Sequence, residues 1–118
     1  MLLLRAREAV MLRFRKMLRQ QGLTEQQWRV LRALATEEAF EIPDLVASTF
    51  LLGPSLSRIL ADLDRQGLIL IAPHEDDQRR KLIRLSDRGA TLIEEIAPLS
   101  EQIYADITAR ISLVMRLE

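Results

Sequence analysis

The 118-residue sequence predicts a mainly α-helical fold that includes one small β-hairpin. Three observations support this fold class. Apolar residues recur at helical spacing over most of the chain, glycine and proline separate the periodic segments, and two short apolar stretches flank the charged stretch PHEDDQRR. With 48% apolar residues the chain can bury a core, and its length suits one domain or one domain with an appended helix.

The first two helices are predicted on either side of Gly22. The apolar stripe of Leu2–Gln21 is wider than one neighbouring helix covers, and this segment holds six basic residues against one acid. Those charges suit a solvated face. The second helix would begin after Thr24, which has a capping-box spacing to Gln27, and would bury a stripe that includes Trp28. Its pattern fades over residues 36–41.

A short helix, a tight connection and a longer helix are predicted next. The short helix would begin near Pro43 and the longer one near Pro54, because proline suits the first position of a helix. Gly67 has the position of a left-handed residue that ends the longer helix.

Two strands and a final helical region complete the prediction. Leu68–Ala72 and Lys81–Leu85 are short and rich in Leu and Ile, so they predict two strands joined by a charged hairpin loop. Ser86 would cap the final region, whose apolar stripe extends to Val114. Pro98 is expected to kink or break this region, because proline lacks the N–H and clashes with the preceding turn.

This order of elements is that of a winged helix-turn-helix lobe, in which the second helix of the pair enters the DNA major groove. The recognition helix would span about residues 54–66 and the wing about residues 73–81. Wing arginines can reach phosphates or a narrow minor groove, where the negative potential is enhanced. The residues predicted to contact DNA are Ser55, Ser57, Arg58, Arg79, Arg80 and Lys81.

The acids of the wing need a separate explanation. Asp77 lies two residues before Arg79, a spacing at which its carboxylate could hold the guanidinium in one orientation and reduce the entropy lost on DNA binding. The alternative is a charged hairpin that only keeps the loop soluble. His74 would be either an exposed loop residue or a phosphate contact. The polar first turn of the longer helix also fits an ordinary amphipathic surface helix.

Composition argues against several function classes. Seventeen Lys and Arg balance seventeen Asp and Glu, so only the distribution of charge can indicate a polyanionic partner. The chain has no Cys and one His, and it shows no phosphate-binding glycine loop and no pairing of a nucleophile with a base. We therefore expect no enzyme activity, no metal and no cofactor.

The opening MLLL is followed at once by Arg5 and Arg7, which makes it too short for a signal peptide, and no later run could span a bilayer. We therefore expect a soluble, cytoplasmic protein without a membrane partner.

The stretches DLVASTFLLGPSLSRILADLDRQGLI and DDQRRKLIRLSDRG resemble the MarR family of bacterial transcriptional regulators. The family's wing motif, Asp-x-Arg followed by Leu-Ser/Thr-x-x-Gly, is present as Asp77, Arg79, Leu85, Ser86 and Gly89. The resemblance covers roughly residues 3–110. The first two helices resemble more narrowly the family members that regulate the degradation of an aromatic acid.

The resemblance implies an obligate homodimer. Residues 1–22 and 90–118 would be dimerisation helices, residues 23–89 the DNA-binding lobe, and two lobes would straddle a palindromic operator. Family members commonly continue beyond the position where this chain ends, so either a short dimerisation tail or further residues would fit. A winged-helix module for protein–protein contact, without DNA binding, is the alternative function.

The resemblance also implies a repressor of an aromatic-compound catabolic operon, relieved by a small phenolic or aromatic acid. Such a ligand needs a cationic anchor and an apolar slot. Arg15, Trp28 and Arg32 lie in the segments that the family would place around the slot. The alternatives are plain core packing for Trp28 and solvation for the two arginines.

Overall fold

The computed structural model describes residues 2–117, and it describes their side chains except those at positions 2, 3, 6, 107, 111, 114 and 117. Predicted stripe residues such as Leu3, Ala6, Ile107, Ile111 and Val114 therefore have side chains outside the described set. The elements in chain order are α1 (Leu2–Gln20), α2 (Glu25–Leu34), β1 (Phe40–Glu41), α3 (Ile42–Thr49), α4 (Gly53–Arg65), β2 (Ile69–Pro73), β3 (Lys81–Leu85) and α5 (Asp87–Leu117).

The chain divides into two compact units, residues 26–93 and residues 1–25 with 94–118. The fold class predicted from the sequence, mainly helical with a hairpin wing, is confirmed. No helix in the described part of the chain combines the length and the hydropathy that crossing a membrane requires.

The unit of residues 26–93 contains a three-stranded antiparallel sheet in the order β1-β3-β2. Ile83 at the centre of β3 pairs with Phe40 on one side and Ile71 on the other. β1 is absent from the sequence prediction, because two residues are too few to show a period. Its strand geometry depends on pairing with β3, more than forty positions away, and the buried Phe40 and Ile83 hold that pairing.

Helices α2, α3 and α4 bury one stripe each, as their apolar spacing predicts. The buried apolar residues of this unit are Trp28, Val30, Leu31, Leu34, Phe40, Leu45, Leu51, Leu56, Ile59, Leu60, Leu63, Leu68, Ile69 and Ile83.

The turn between α3 and α4 is tight, as predicted. Pro43 and Pro54 both lie in the first turns of their helices. The hydroxyl of Thr49 is buried and donates to the carbonyl of Leu45 at 2.6 Å. Phe50 then takes the left-handed conformation with φ 59°, and its N–H donates to the carbonyl of Val46 at 2.9 Å.

The start of α5 is joined to the end of α4 by a compact set of hydrogen bonds. The Ser86 hydroxyl accepts the N–H of Gly89 at 3.0 Å and donates to the carbonyl of Gly67 at 2.6 Å. Gly67 has φ 74°, so the predictions for Ser86 and Gly67 are both confirmed. A side chain at Gly89 would overlap the carbonyl oxygen of Leu68, which explains why the motif ends in glycine.

The second unit combines α1 with the later part of α5. Phe14 and Tyr104 contact each other with ring centroids 6.1 Å apart, and Arg13 Nη1 lies 3.0 Å from Asp106 Oδ2. Its buried apolar residues are Val10, Phe14, Met17, Leu18, Leu23, Ile96 and Ile103.

Pro98 does not break the final helical region, because α5 is a single helix of 31 residues that continues through the proline. Ile96, Ser100 and Ile103 are buried on both sides of the proline at helical spacing. Pro98 itself is on the exposed side of the helix. Burial of one continuous stripe outweighs the hydrogen bond that proline cannot donate.

Candidate nucleic-acid interface

The N-terminal part of α4 presents a polar, acid-free surface. Ser55, Ser57 and Arg58 are all exposed, while Leu56 and Ile59 between and after them are buried. The structure thus brings the three predicted contact residues of the recognition helix together. The first acid of the helix, Asp62, comes two turns later and is paired with Arg65.

Hydrogen bonds within the wing loop define its shape. The N–H of His74 donates to the carbonyl of Arg80 at 2.8 Å, and the N–H of Arg80 donates to the carbonyl of Asp77 at 3.0 Å. The N–H of Asp76 donates to Nδ1 of His74 at 3.1 Å. Arg79 and Lys81 are exposed at the end of this turn, where an approaching duplex can reach them.

Asp77 acts on the main chain of the wing. Its Oδ1 accepts the N–H of Arg79 at 3.0 Å, which is the geometry of an Asx turn. The expected contact between the carboxylate and the Arg79 guanidinium is not formed. The spacing of two residues is explained by the turn: a carboxylate at this distance reaches the main-chain donor before it can meet a long, flexible side chain.

Arg80, one of the predicted DNA contacts, forms an ion pair within the protein. Its guanidinium is paired with the carboxylate of Glu41, which is only 24% exposed, and Nε2 of His74 lies 3.8 Å from the same carboxylate. Glu41 also holds the start of α3, since its N–H donates to Asp44 Oδ2 at 3.1 Å. Sequence reasoning missed Glu41, because no local pattern relates residue 41 to residue 80.

The three expected ligand residues have different environments. Trp28 is 4% exposed, and its Nε1 is a buried donor without a hydrogen-bond partner among the described residues. Arg32, one turn further along α2, is exposed. Arg15 belongs to the other unit, is half exposed, and lies with its Nε 3.3 Å from Glu25 Oε2.

A helix pair joined by a tight turn, followed by a hairpin wing, defines a winged helix-turn-helix DNA-binding protein. A model of the MarR family matches residues 21–80. The chain belongs to the MarR family, whose members are transcriptional regulators and not enzymes.

Two curated relatives and one solved structure agree with this assignment. The chain is 39% identical over 102 residues to the HTH-type transcriptional regulator FarR of Neisseria gonorrhoeae, covering 86% of this chain and 70% of FarR. It is 39% identical over 108 residues to the homoprotocatechuate degradative operon repressor of Escherichia coli, covering 92% and 73%. The narrower resemblance of the first two helices is thereby confirmed.

The structure of NadR in complex with 4-hydroxyphenylacetate is similar to this fold with a TM-score of 0.68 and 35% identity, covering 98% of this chain and 77% of NadR.

Proposed function

We propose that this regulator is a cytoplasmic, homodimeric repressor that binds a palindromic operator of an aromatic-compound catabolic operon and is released by a small aromatic acid. The exposed, acid-free N-terminal part of α4 is the observation that carries the proposal, because Ser55, Ser57 and Arg58 there can approach base edges and phosphates together. Arg79 and Lys81 on the wing supply positive charge that can contact the phosphate backbone of DNA.

The proposal of a dimer is supported by exposed apolar side chains on the terminal helices. Leu4 and Leu12 on α1 are 61% and 58% exposed, and Leu113 and Met115 on α5 are 58% and 64% exposed. Large apolar side chains that stay exposed on two helices are typical of surface that another chain covers. A second copy would also place two recognition helices on the two halves of a palindrome.

The proposal of an aromatic effector is supported by Trp28. A buried indole N–H that has no partner among the described side chains is unfavourable, and an acceptor group of a ligand would satisfy it. Arg32 lies four residues further on the same helix and can pair with a carboxylate. NadR, a structural relative, binds 4-hydroxyphenylacetate, which carries an aromatic ring, a hydroxyl and a carboxylate.

The test is an electrophoretic mobility shift with the full chain and DNA from upstream of its own gene, with and without phenolic acids. We expect a sequence-specific shift that 4-hydroxyphenylacetate or a similar acid reverses. Trp28 is the only tryptophan, so its fluorescence reports ligand binding separately. A change in fluorescence that Arg32→Gln reduces without loss of DNA binding would support the site. Absence of any specific shift would contradict the function itself.

A further inference from the structure

Two neighbouring side chains of the turn between α3 and α4 have no role in the core. Phe50 is 89% exposed and Leu52 is 76% exposed, the two highest values among the large apolar side chains that the structure describes. Leu51 between them is buried at 7%. The turn therefore needs only one of its three apolar residues for packing.

Both exposed residues are also unfavourable for the local backbone. Phe50 is the one non-glycine residue with a positive φ in the described chain, a conformation that bulky side chains rarely adopt and that Asn or Gly would accept more easily. Leu52 is the N-cap of α4 and makes no side-chain cap hydrogen bond, where Ser, Thr, Asp or Asn would make one. Folding alone does not account for either residue.

The position of these residues indicates what they contact. They directly precede the N-terminal part of α4, whose exposed Ser55, Ser57 and Arg58 form the proposed contact surface with base edges. Among the features that the major groove displays, the C5-methyl group of thymine is the apolar one. An apolar side chain beside a recognition helix is chemically complementary to that methyl group, whereas a phosphate would reject it.

We propose that Phe50 and Leu52 form an apolar prong that contacts thymine methyl groups in the major groove and so helps to determine the operator sequence. The proposal rests on the operator binding proposed above. In this proposal, the turn between α3 and α4 determines a preference for thymine at positions next to the bases that the N-terminal part of α4 contacts. Phe50 and Leu52 then reduce the local stability of the turn because operator binding requires their side chains.

The experiment begins with selection of the preferred operator from a randomised DNA pool by the full-length wild-type protein. Each thymine of the selected sequence is then replaced in turn by uracil, which removes the C5-methyl group and keeps the base pair. We expect one or two positions per half-site at which the replacement weakens wild-type binding about fourfold, the factor for burial of one methyl group. Phe50→Ala is expected to bind the original operator more weakly and to show no further loss with uracil.

Two variants separate binding from folding. Phe50→Asn and Leu52→Ser suit the left-handed turn and the N-cap, so we expect their thermal unfolding midpoints to be equal to or higher than that of the wild type. Their operator affinity is nevertheless expected to fall, together with the uracil effect. Leu70→Ala removes an apolar side chain that is 45% exposed on β2, and serves as the control that leaves operator affinity unchanged.

The outcomes are distinguishable. If no sequence is enriched in the selection, the proposed function fails. If an operator is bound but no uracil replacement weakens binding, or if Phe50→Asn binds it as tightly as the wild type, the prong is not a thymine contact and the proposed function stands.

Discussion

At the scale of single residues, Glu41 determines which wing cations are available to DNA. Its partly buried carboxylate is paired with Arg80, and His74 lies 3.8 Å away on the same carboxylate. Arg79 and Lys81 remain exposed on either side of Arg80. Of three successive cations, one is therefore paired within the protein and the other two are exposed to solvent.

Replacement of Glu41 with Gln removes the partner of Arg80. We expect tighter binding to random DNA and a salt dependence that is steeper by about one ion, because one more cation can neutralise a phosphate. The measurement is fluorescence anisotropy on random and operator duplexes over a salt series. The Glu41→Gln, Arg80→Ala double variant is the control, and the gain in slope is expected to disappear. A large loss of affinity from Arg80→Ala alone would contradict the view that Arg80 stays paired with Glu41 when the protein binds DNA.

Asp77 offers a second prediction at this scale, because Asn keeps the acceptor oxygen of the Asx turn and removes the charge. We expect Asp77→Asn to bind operator at least as tightly as the wild type, and Asp77→Ala to bind more weakly than Asp77→Asn because the turn loses its side-chain acceptor. Affinities at one fixed salt concentration test this. If the Ala variant binds as tightly as the Asn variant, Asp77 does not shape the wing.

At the scale of elements, the joint between α4, β2 and α5 depends on two glycines and one serine. Ser86 caps α5 and bonds to the carbonyl of Gly67, and the backbone of Gly89 lies against Leu68. This contact holds the first turn of α5 against the strand that leads into the wing. The Leu-Ser-x-x-Gly part of the family motif is therefore structural.

Gly89→Ala places a methyl group against the main chain of Leu68, with the carbonyl carbon at 3.1 Å and Leu85 Cδ2 at 3.3 Å. We expect a loss of about 1–3 kcal/mol in the free energy of unfolding, since a packed backbone cannot move aside freely. Gly53→Ala is the matched control. Position 53 lies in α4 with no atom within 4 Å of an added Cβ apart from its chain neighbours, so we expect a smaller change, limited by the ring of the following Pro54. Urea unfolding of both variants measures the difference, and equal stabilities would contradict the packing.

The sequence predicts those elements that are determined by residues close together in the chain. The periodic stripes of α1, α2 and α4, the left-handed Gly67 and the Ser86 cap all follow from residues within a few positions of each other. β1 and the pairing of Glu41 with Arg80 depend on contacts across about forty residues, which no local pattern contains. The break expected at Pro98 does not occur. The sequence shows the local effect of proline, but the burial of Ile96 and Ser100 that counteracts it arises only in the folded unit.

At the scale of the whole molecule, the terminal helices leave apolar surface that one chain alone does not cover. Leu113→Glu places a charge on that surface, and we expect it to shift the protein from dimer to monomer at micromolar concentration in light scattering. Ser112→Glu adds the same charge at an exposed neighbouring position and is expected to stay dimeric. A wild-type protein of monomer mass would remove the basis for two-site operator binding.

The order of the elements along the chain also determines when each part can fold during synthesis. β3 is the central strand and pairs with both neighbours, so the sheet cannot form before residue 85 has left the ribosome. The other unit combines residues 1–25 with residues from 94 onward. α1 is thus synthesised before the unit of residues 26–93 and completes its packing only after that unit has been synthesised. The apolar side chains that α1 buries in the folded unit, such as Val10 and Phe14, have no partners from α5 while the DNA-binding lobe is synthesised, which makes α1 prone to aggregation in the nascent chain.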